Sequence, residues 1–259
     1  MFRRLLERST RRLVFRRRLP AAFENAVLYV SPAAGLRFLF RSMAKIDPPL
    51  LMAAHRLVRS GDVVWDIGAN VGLFSVAAAV CAGPSGQVIA FEPDIWLAQL
   101  IWRTREVQPI TSAQITVVPV AVASEISLRS FSIAARSRAS NALSEYGTTQ
   151  MGGVEERHVI ATFNLDWLLT KLAIPDIIKI DVEGAELEVL NNQVHMLNEV
   201  RPVIVCEVGS NIADEITELL TSASYCLFDG DKSFMKAQVL NRATWNTIAI
   251  PEEKMHRLS

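Results

Sequence analysis

From Asp62 onward, short apolar runs alternate with segments long enough to be helices, and this alternation restricts the possible folds more than any other feature. The runs are Asp62 to Ile67, Gln87 to Phe91, Ile115 to Val120, Asp176 to Asp181 and Val203 to Val208. Helix-length segments follow at Leu73 to Ala82, Ile95 to Val107, Glu183 to Leu190 and Ile212 to Ser222. Strands connected through helices lie parallel, with right-handed crossovers and helices on both faces of one sheet. Tyr225 to Phe228 and Thr244 to Ile250 add two strands, expected as an antiparallel hairpin at the sheet edge. The expected fold class is therefore α/β, Rossmann-like, with a mostly parallel sheet.

Residues 124–162 interrupt the alternation with polar, Gly-containing sequence around two β-like pieces, Leu128 to Ile133 and His158 to Ala161. An insertion there would lie over the C-terminal ends of the strands, where open α/β sheets bind ligands. It is expected to be a substrate cover.

The chain has 259 residues, 50% hydrophobic and 21% charged, enough apolar material for a core and too little charge for global disorder. The net charge of zero hides an asymmetry. Residues 1–60 hold 13 Lys and Arg against 3 acids, and the remainder 14 against 24. The first 18 residues include eight arginines interleaved with Leu5, Leu6, Leu13, Val14 and Phe15, read as a basic, roughly amphipathic helix. Such a head could attach to an acidic partner, an anionic membrane surface or a nucleic acid, with no nucleic acid expected here. A solvated leader or a cleaved transit peptide would look similar. Residues 20–60 are expected to be helical, punctuated by Pro20, Pro32, Pro48 and Pro49.

Cys81, Cys206 and Cys226 show no CxxC spacing and read as buried reduced thiols. The uncharged run Ile67 to Phe91 contains four glycines and a proline, which suits a strand, turn and helix rather than a membrane span. With no secretory signal, a cytoplasmic location is expected.

The run Val63 to Ser75 reads as an apolar strand ending in Asp66, then a loop with Gly68, Asn70 and Gly72 that opens a helix. Gly68 and Gly72 permit close approach to the backbone, and Asn70 tolerates the left-handed conformation. A dinucleotide site would place glycine where Asp66 stands, so that a pyrophosphate could meet bare amides. A carboxylate there repels phosphate but suits a cationic amine. Glu92, followed by Pro93 at the end of the next run, can accept both hydroxyls of a ribose. A nucleoside that carries an amine and lacks phosphates is S-adenosylmethionine.

The segments Asp66 to Gly72, Phe91-Glu92-Pro93, Ile178 to Glu186 and Trp245-Asn246 resemble the FkbM-type methyltransferases, over about residues 60–250. The resemblance implies a class I methyltransferase fold with a seven-stranded sheet whose last strand is antiparallel. It also implies O-methylation of a hydroxyl on a secondary metabolite or saccharide, a biosynthetic role. Residues 1–60 then form an N-terminal extension and residues 61–259 the methyltransferase domain, with the insertion at about 124–162.

Methyl transfer to an alcohol needs an aligned oxygen and a base within about 3 Å. Asp181 is the first candidate for that base and Glu207 the second. His158 and His195 are weaker candidates, the latter resembling a helix-surface residue. Ser140, Asn141 and Glu183 are candidate substrate contacts, although Ser140 and Asn141 could simply form a turn. Glu186 fits a helix N-terminus better than a catalytic role. Asp181 with Glu207 could hold a divalent metal, but no third ligand stands at suitable spacing, so metal dependence is not favoured. N-methylation, a nicotinamide enzyme and a non-catalytic module presenting the arginine-rich head are the competing readings.

Overall fold

The computed structural model describes residues 13–135, 137–146, 153–232 and 238–258. Its centre is a seven-stranded sheet built from β3 (Val63–Ile67), β4 (Gln87–Phe91), β5 (Gln114–Val118), β10 (Ile177–Ile180), β11 (Val203–Glu207), β12 (Tyr225–Asp229) and β13 (Asn246–Pro251). The spatial order is β12-β13-β11-β10-β3-β4-β5. All neighbours are parallel except β13, which runs antiparallel to both β11 and β12. The C-terminal hairpin expected at the edge is therefore present, with its second strand inserted one position inward.

The chain winds outward from β3 to β5 and then returns to place β10 on the other side of β3. Adjacent crossovers leave β3 and β10 in opposite directions, which opens a crevice at their C-terminal ends. The helices divide between two apolar layers. Helices α2 (Pro48–Leu57), α3 (Leu73–Ala82) and α4 (Ile95–Arg105) pack on one face through Leu51, Phe74 and Ile101. Helices α5 (Leu165–Leu169), α6 (Glu186–Leu190) and α7 (Ala213–Ser222) cover the other through Leu168, Leu190 and Ile216. Their starts follow local chemistry: Asp94 accepts a hydrogen bond from the Trp96 amide at 2.9 Å, and Asn164 from the Trp167 amide at 2.8 Å.

The leading segment departs from the expected helix. Phe15–Arg18 form β1, paired antiparallel with β2 (Val27–Val30). Among the described residues before β3, only the short α1 (Arg37–Phe40), α2 and single 3-10 turns are helical. Val27, Leu28 and Val30 are buried, as suits β-branched and apolar residues facing the core, and the Tyr29 amide donates to Thr104 Oγ1 on α4 at 3.0 Å. Leu19, Phe23, Leu28 and Phe38 belong to the same apolar cluster as Phe74 and Ile101, so this segment is part of the body. Residues 1–12, which carry five of the eight head arginines, lie outside the described residues.

The insertion forms a second sheet of four strands: β6 (Ala121–Val122), β7 (Ser127–Ala134), β8 (Ala142–Leu143) and β9 (Val154–Phe163), in the order β6-β9-β7-β8. All three cysteines are free, Cys206 buried and the other two half-buried. Among the described residues no helix is long and apolar enough to cross a membrane.

Candidate active site

Two cavities meet at the crevice. The first, about 600 Å³, is walled by Gly68, Glu92, Pro93 and Asp181 from the main sheet and by Phe131, Ala139 and Asn141 from the insertion. The second is a wider cleft of about 1850 Å³, open to solvent, lined by Asp181, Glu183 and Glu207, by Trp245, and by Arg37 and Asp47 of the leading segment. Asn70, Ala139, Asp181 and Glu183 line both.

The first cavity has the chemistry of a nucleoside site. Gly68 and Gly72 have φ of +74° and +85°, and Asn70 follows them into the left-handed region at +55°. A Cβ at Gly68 would lie 1.9 Å from the carbonyl oxygen of Asp181, so only glycine lets the loops after β3 and β10 touch. Glu92 is held by two amides, Asn70 N–H to Oε2 at 2.7 Å and Asp94 N–H to Oε1 at 2.9 Å. Burial pushes its carboxyl up to about 8, although both amides pull the other way. A buried carboxylate facing a cavity, with lone pairs to spare, suits the hydroxyl donors of a ribose. Asn70 Oδ1 is buried without a hydrogen-bond partner among the described residues, a further acceptor available to a ligand.

Asp66 does not take the place expected of it. Its side chain is 0% exposed and lines neither cavity. Ser75 Oγ donates to Oδ2 at 2.5 Å, and Oδ1 lies 3.2 Å from Lys179 Nζ. A carboxylate enclosed and already paired with a cation cannot also meet a ligand amine directly. Lys179, which sequence reasoning left without a role, thereby becomes central. It donates to the Gly68 carbonyl at 2.7 Å and reaches 3.5 Å from Asp181 Oδ2. Burial works against its charge, but Asp66 and Asp181 outweigh that and hold the ammonium above its ordinary value. The signal was available: a lysine inside Ile177–Ile180, a strand buried throughout, requires a carboxylate partner.

Asp181 stands at the junction of the cavities, half-buried at the end of β10. Glu207, at the end of β11, lines the wider cleft; burial, then the charges of Asp181 and Glu183, push it up to about 8. Glu183 has φ +58° and sits at the mouth, pushed up to about 7 by burial, Asp181 and Glu186. Glu186 turns back to accept hydrogen bonds from the Val182 and Gly184 amides at 3.2 and 3.1 Å, the structural role expected. Among the described residues no group of three or more His, Cys, Asp or Glu side chains is arranged to hold a metal.

The insertion does cover the first cavity. Arg138 pairs with Asp94 and lies over the Trp96 ring at 5.3 Å, while Asn141 Nδ2 donates to Asp94 Oδ2 at 2.7 Å. Asn141 Oδ1 accepts from the Ala134 amide at 2.8 Å, so its polar atoms pin the cover rather than wait for substrate. Ser140 lines the wider cleft. His158 is misplaced as a catalytic candidate: it projects from β9, half-exposed, toward Glu156 at 3.0 Å and lines neither cavity. His195 lies on the surface against Glu199 at 2.8 Å.

The family profile described as the Methyltransferase FkbM domain matches residues 66–227, well over half of the sequence. This chain belongs to the FkbM methyltransferase family. A curated relative, hexuronic acid methyltransferase AglP of Haloferax volcanii, is 30% identical over 165 residues, 62% of this chain. The chain spans 62% of that relative's length. Among solved structures, the FkbM methyltransferase of Methylobacillus flagellatus aligns with a TM-score of 0.47 at 15% identity, over 77% of this chain and 49% of that one. A SAM-dependent O-methyltransferase of Thermotoga maritima aligns with a TM-score of 0.43 at 15% identity, over 87% and 73%. The family match ends before Trp245 and begins after Arg37 and Asp47, so both edges of the wider cleft lie outside it. The seven-stranded sheet with its antiparallel penultimate member is the class I arrangement.

Proposed function

We propose that this FkbM-family protein transfers a methyl group from S-adenosylmethionine to an oxygen of a saccharide. The observation that carries the proposal is the meeting of the two cavities at Asp181: one has the glycine loop and acceptors of a nucleoside site, the other is open and polar. Glu92 and Asn70 would hold the ribose, beside Pro93 and under Phe131 and Leu143 of the cover. When bound, the donor supplies a methyl group made electrophilic by its sulfonium. The sugar preference is supported by the polar character of the cleft and by the name of the Haloferax relative.

The protein's own part is alignment and proton removal. Asp181, half-buried at the junction, accepts the proton of the attacking hydroxyl as the new bond forms. Lys179 tethers its carboxylate by charge and, through the Gly68 carbonyl, ties base and nucleoside floor together. Docking of the cover on Asp94 excludes water from the first cavity.

The same-fold alternative, a nicotinamide enzyme, lacks bare amides for a pyrophosphate where β3 ends in a buried ion pair. A non-catalytic scaffold for the arginine-rich head leaves the paired cavities without a use. Calorimetry with S-adenosylmethionine and with NAD decides among the three. Micromolar binding of the first alone is expected; binding of NAD alone, or of neither, overturns the proposal.

A further inference from the structure

We infer that the wider cleft is a subsite for a pyranose bearing a carboxylate, with the sugar ring laid on the Trp245 indole and its acid held by Arg37. The inference rests on the methyl-transfer reading above and names the acceptor class for it.

Trp245 is 58% exposed, although exposure of so large an apolar side chain costs solvation free energy that burial would recover. Its mount is firm. The Val208 amide donates to the Trp245 carbonyl at 2.8 Å, and Asn246, the next residue, begins β13 opposite Glu207. The indole N–H has no hydrogen-bond partner among the described residues. An aromatic face held rigidly at the edge of a polar cleft matches the C–H face of a sugar ring, whose slightly positive hydrogens meet the electron-rich side of the indole. The hydroxyls around such a ring need acceptors, and Asp47, Asp181 and Glu207 line the same cleft.

Arg37 is the only cation lining the cleft among the described residues. It is exposed, forms no ion pair among the described residues, and rests on the ring of Phe38 at 5.6 Å. A guanidinium on a short helix, with its fork unpaired, is suited to bidentate capture of a carboxylate. Four acids share the cleft; burial pushes Glu183 and Glu207 up to about 7 and about 8, which lessens their repulsion of an incoming carboxylate, while Asp47 and Asp181 leave Arg37 the one cation that offsets the rest. Arg37 and Trp245 both lie outside the family match, where a feature that distinguishes one acceptor from another belongs.

The test measures binding of glucuronic and galacturonic acids, and of glucose and galactose, by ligand-observed NMR in the presence of S-adenosylhomocysteine. In the wild-type protein at least one uronic acid should bind about tenfold or more tighter than its neutral counterpart. Arg37→Gln should bring that ratio close to one. Trp245→Ala should weaken acid and neutral sugar alike by about tenfold, and Trp245→Phe should recover most of the loss. Affinity for S-adenosylhomocysteine, measured separately by calorimetry, should stay within about twofold in every variant. Equal binding of acid and neutral sugars by the wild type, unchanged binding in Trp245→Ala, or no sugar binding by a protein that binds S-adenosylhomocysteine overturns the subsite and leaves methyl transfer standing. Failure to bind S-adenosylhomocysteine overturns the methyl-transfer reading, and the subsite with it.

Discussion

Lys179 and Asp66 are register partners on adjacent parallel strands, and their side chains form an ion pair at 3.2 Å beneath the floor of the first cavity. Both are almost wholly enclosed, so removing Lys179 strands the Asp66 charge, whereas Lys179 without Asp66 keeps Asp181 at 3.5 Å. Lys179→Met should destabilise the fold by about 3 to 5 kcal/mol, with Asp66→Asn in the same background recovering a large part. Urea unfolding of the two single variants and the double variant measures the coupling. Simple additivity would mean that the pair does not act as a unit.

Glu92 should control donor affinity through its charge. Ribose hydroxyls donate best to the ionised carboxylate, and the free carboxyl titrates at about 8, so affinity should rise from pH 6 to pH 9 with release of a proton on binding. Glu92→Gln should flatten that profile and weaken binding by about tenfold or more. Calorimetry in buffers of different ionisation enthalpy gives both the affinity and the proton count; a pH-independent wild type would remove Glu92 from ribose recognition.

Asp181→Asn keeps the shape of the junction and loses the proposed proton acceptor. Donor affinity should change little while kcat falls by about 10² to 10⁴. Glu207→Gln, farther from the first cavity, should act mainly on the acceptor KM. The two variants exchanging these effects in steady-state kinetics would exchange the assigned roles.

Arg138→Ala should loosen the cover without damaging the body. Asp94 is buried, so losing its counter-ion should cost about 1 to 3 kcal/mol, limited because the Asn141 side-chain amide and the Trp96 amide remain as partners. Donor dissociation should quicken by several-fold, read by stopped-flow fluorescence. An unchanged dissociation rate would show that the cover does not retain the nucleoside.

Stability without ligand should decline toward alkaline pH. Glu92 and Glu207 are both raised from an ordinary value of 4.5 to about 8. Their contribution is fully present below the ordinary value and is lost as pH rises through about 8, because the unfolded chain releases those protons first. The urea midpoint should therefore fall between pH 5 and pH 8.5, and less steeply in Glu92→Gln.

Much of this fold was legible because the parallel strands are apolar on both faces and end in polar residues. The runs beginning at Asp62, Gln87 and Val203 map onto strands within one residue at each end, and Leu73–Ala82 matches its helix at both ends. The leading segment was misread because prolines and arginines suggested an exposed helical head, whereas Val27–Val30 pair with Phe15–Arg18 and bury against α4. Asn70, Glu92 and Asp181 line the first cavity, where a position at or just after a strand end would put them. Asp66 was not placed correctly, since strand-end position does not say whether a side chain faces ligand or core. His158 and Asn141 depended on the path of the insertion, and Arg37, Asp47 and Trp245 reach the cleft only through contacts between distant parts of the chain.

The wider cleft is bounded at one side by residues 34–49 and at the other by Trp245 and Asn246, whereas Gly68, Glu92 and Asp181 of the first cavity come from the middle of the sequence. On the proposed reading, changes in the segments that flank residues 66–227 would alter acceptor choice while the donor cavity stays unaltered. Grafting the matching terminal stretches from a relative would be a direct route to changed selectivity, provided the graft also restores Phe23, Leu28 and Phe38 to the core they help to fill.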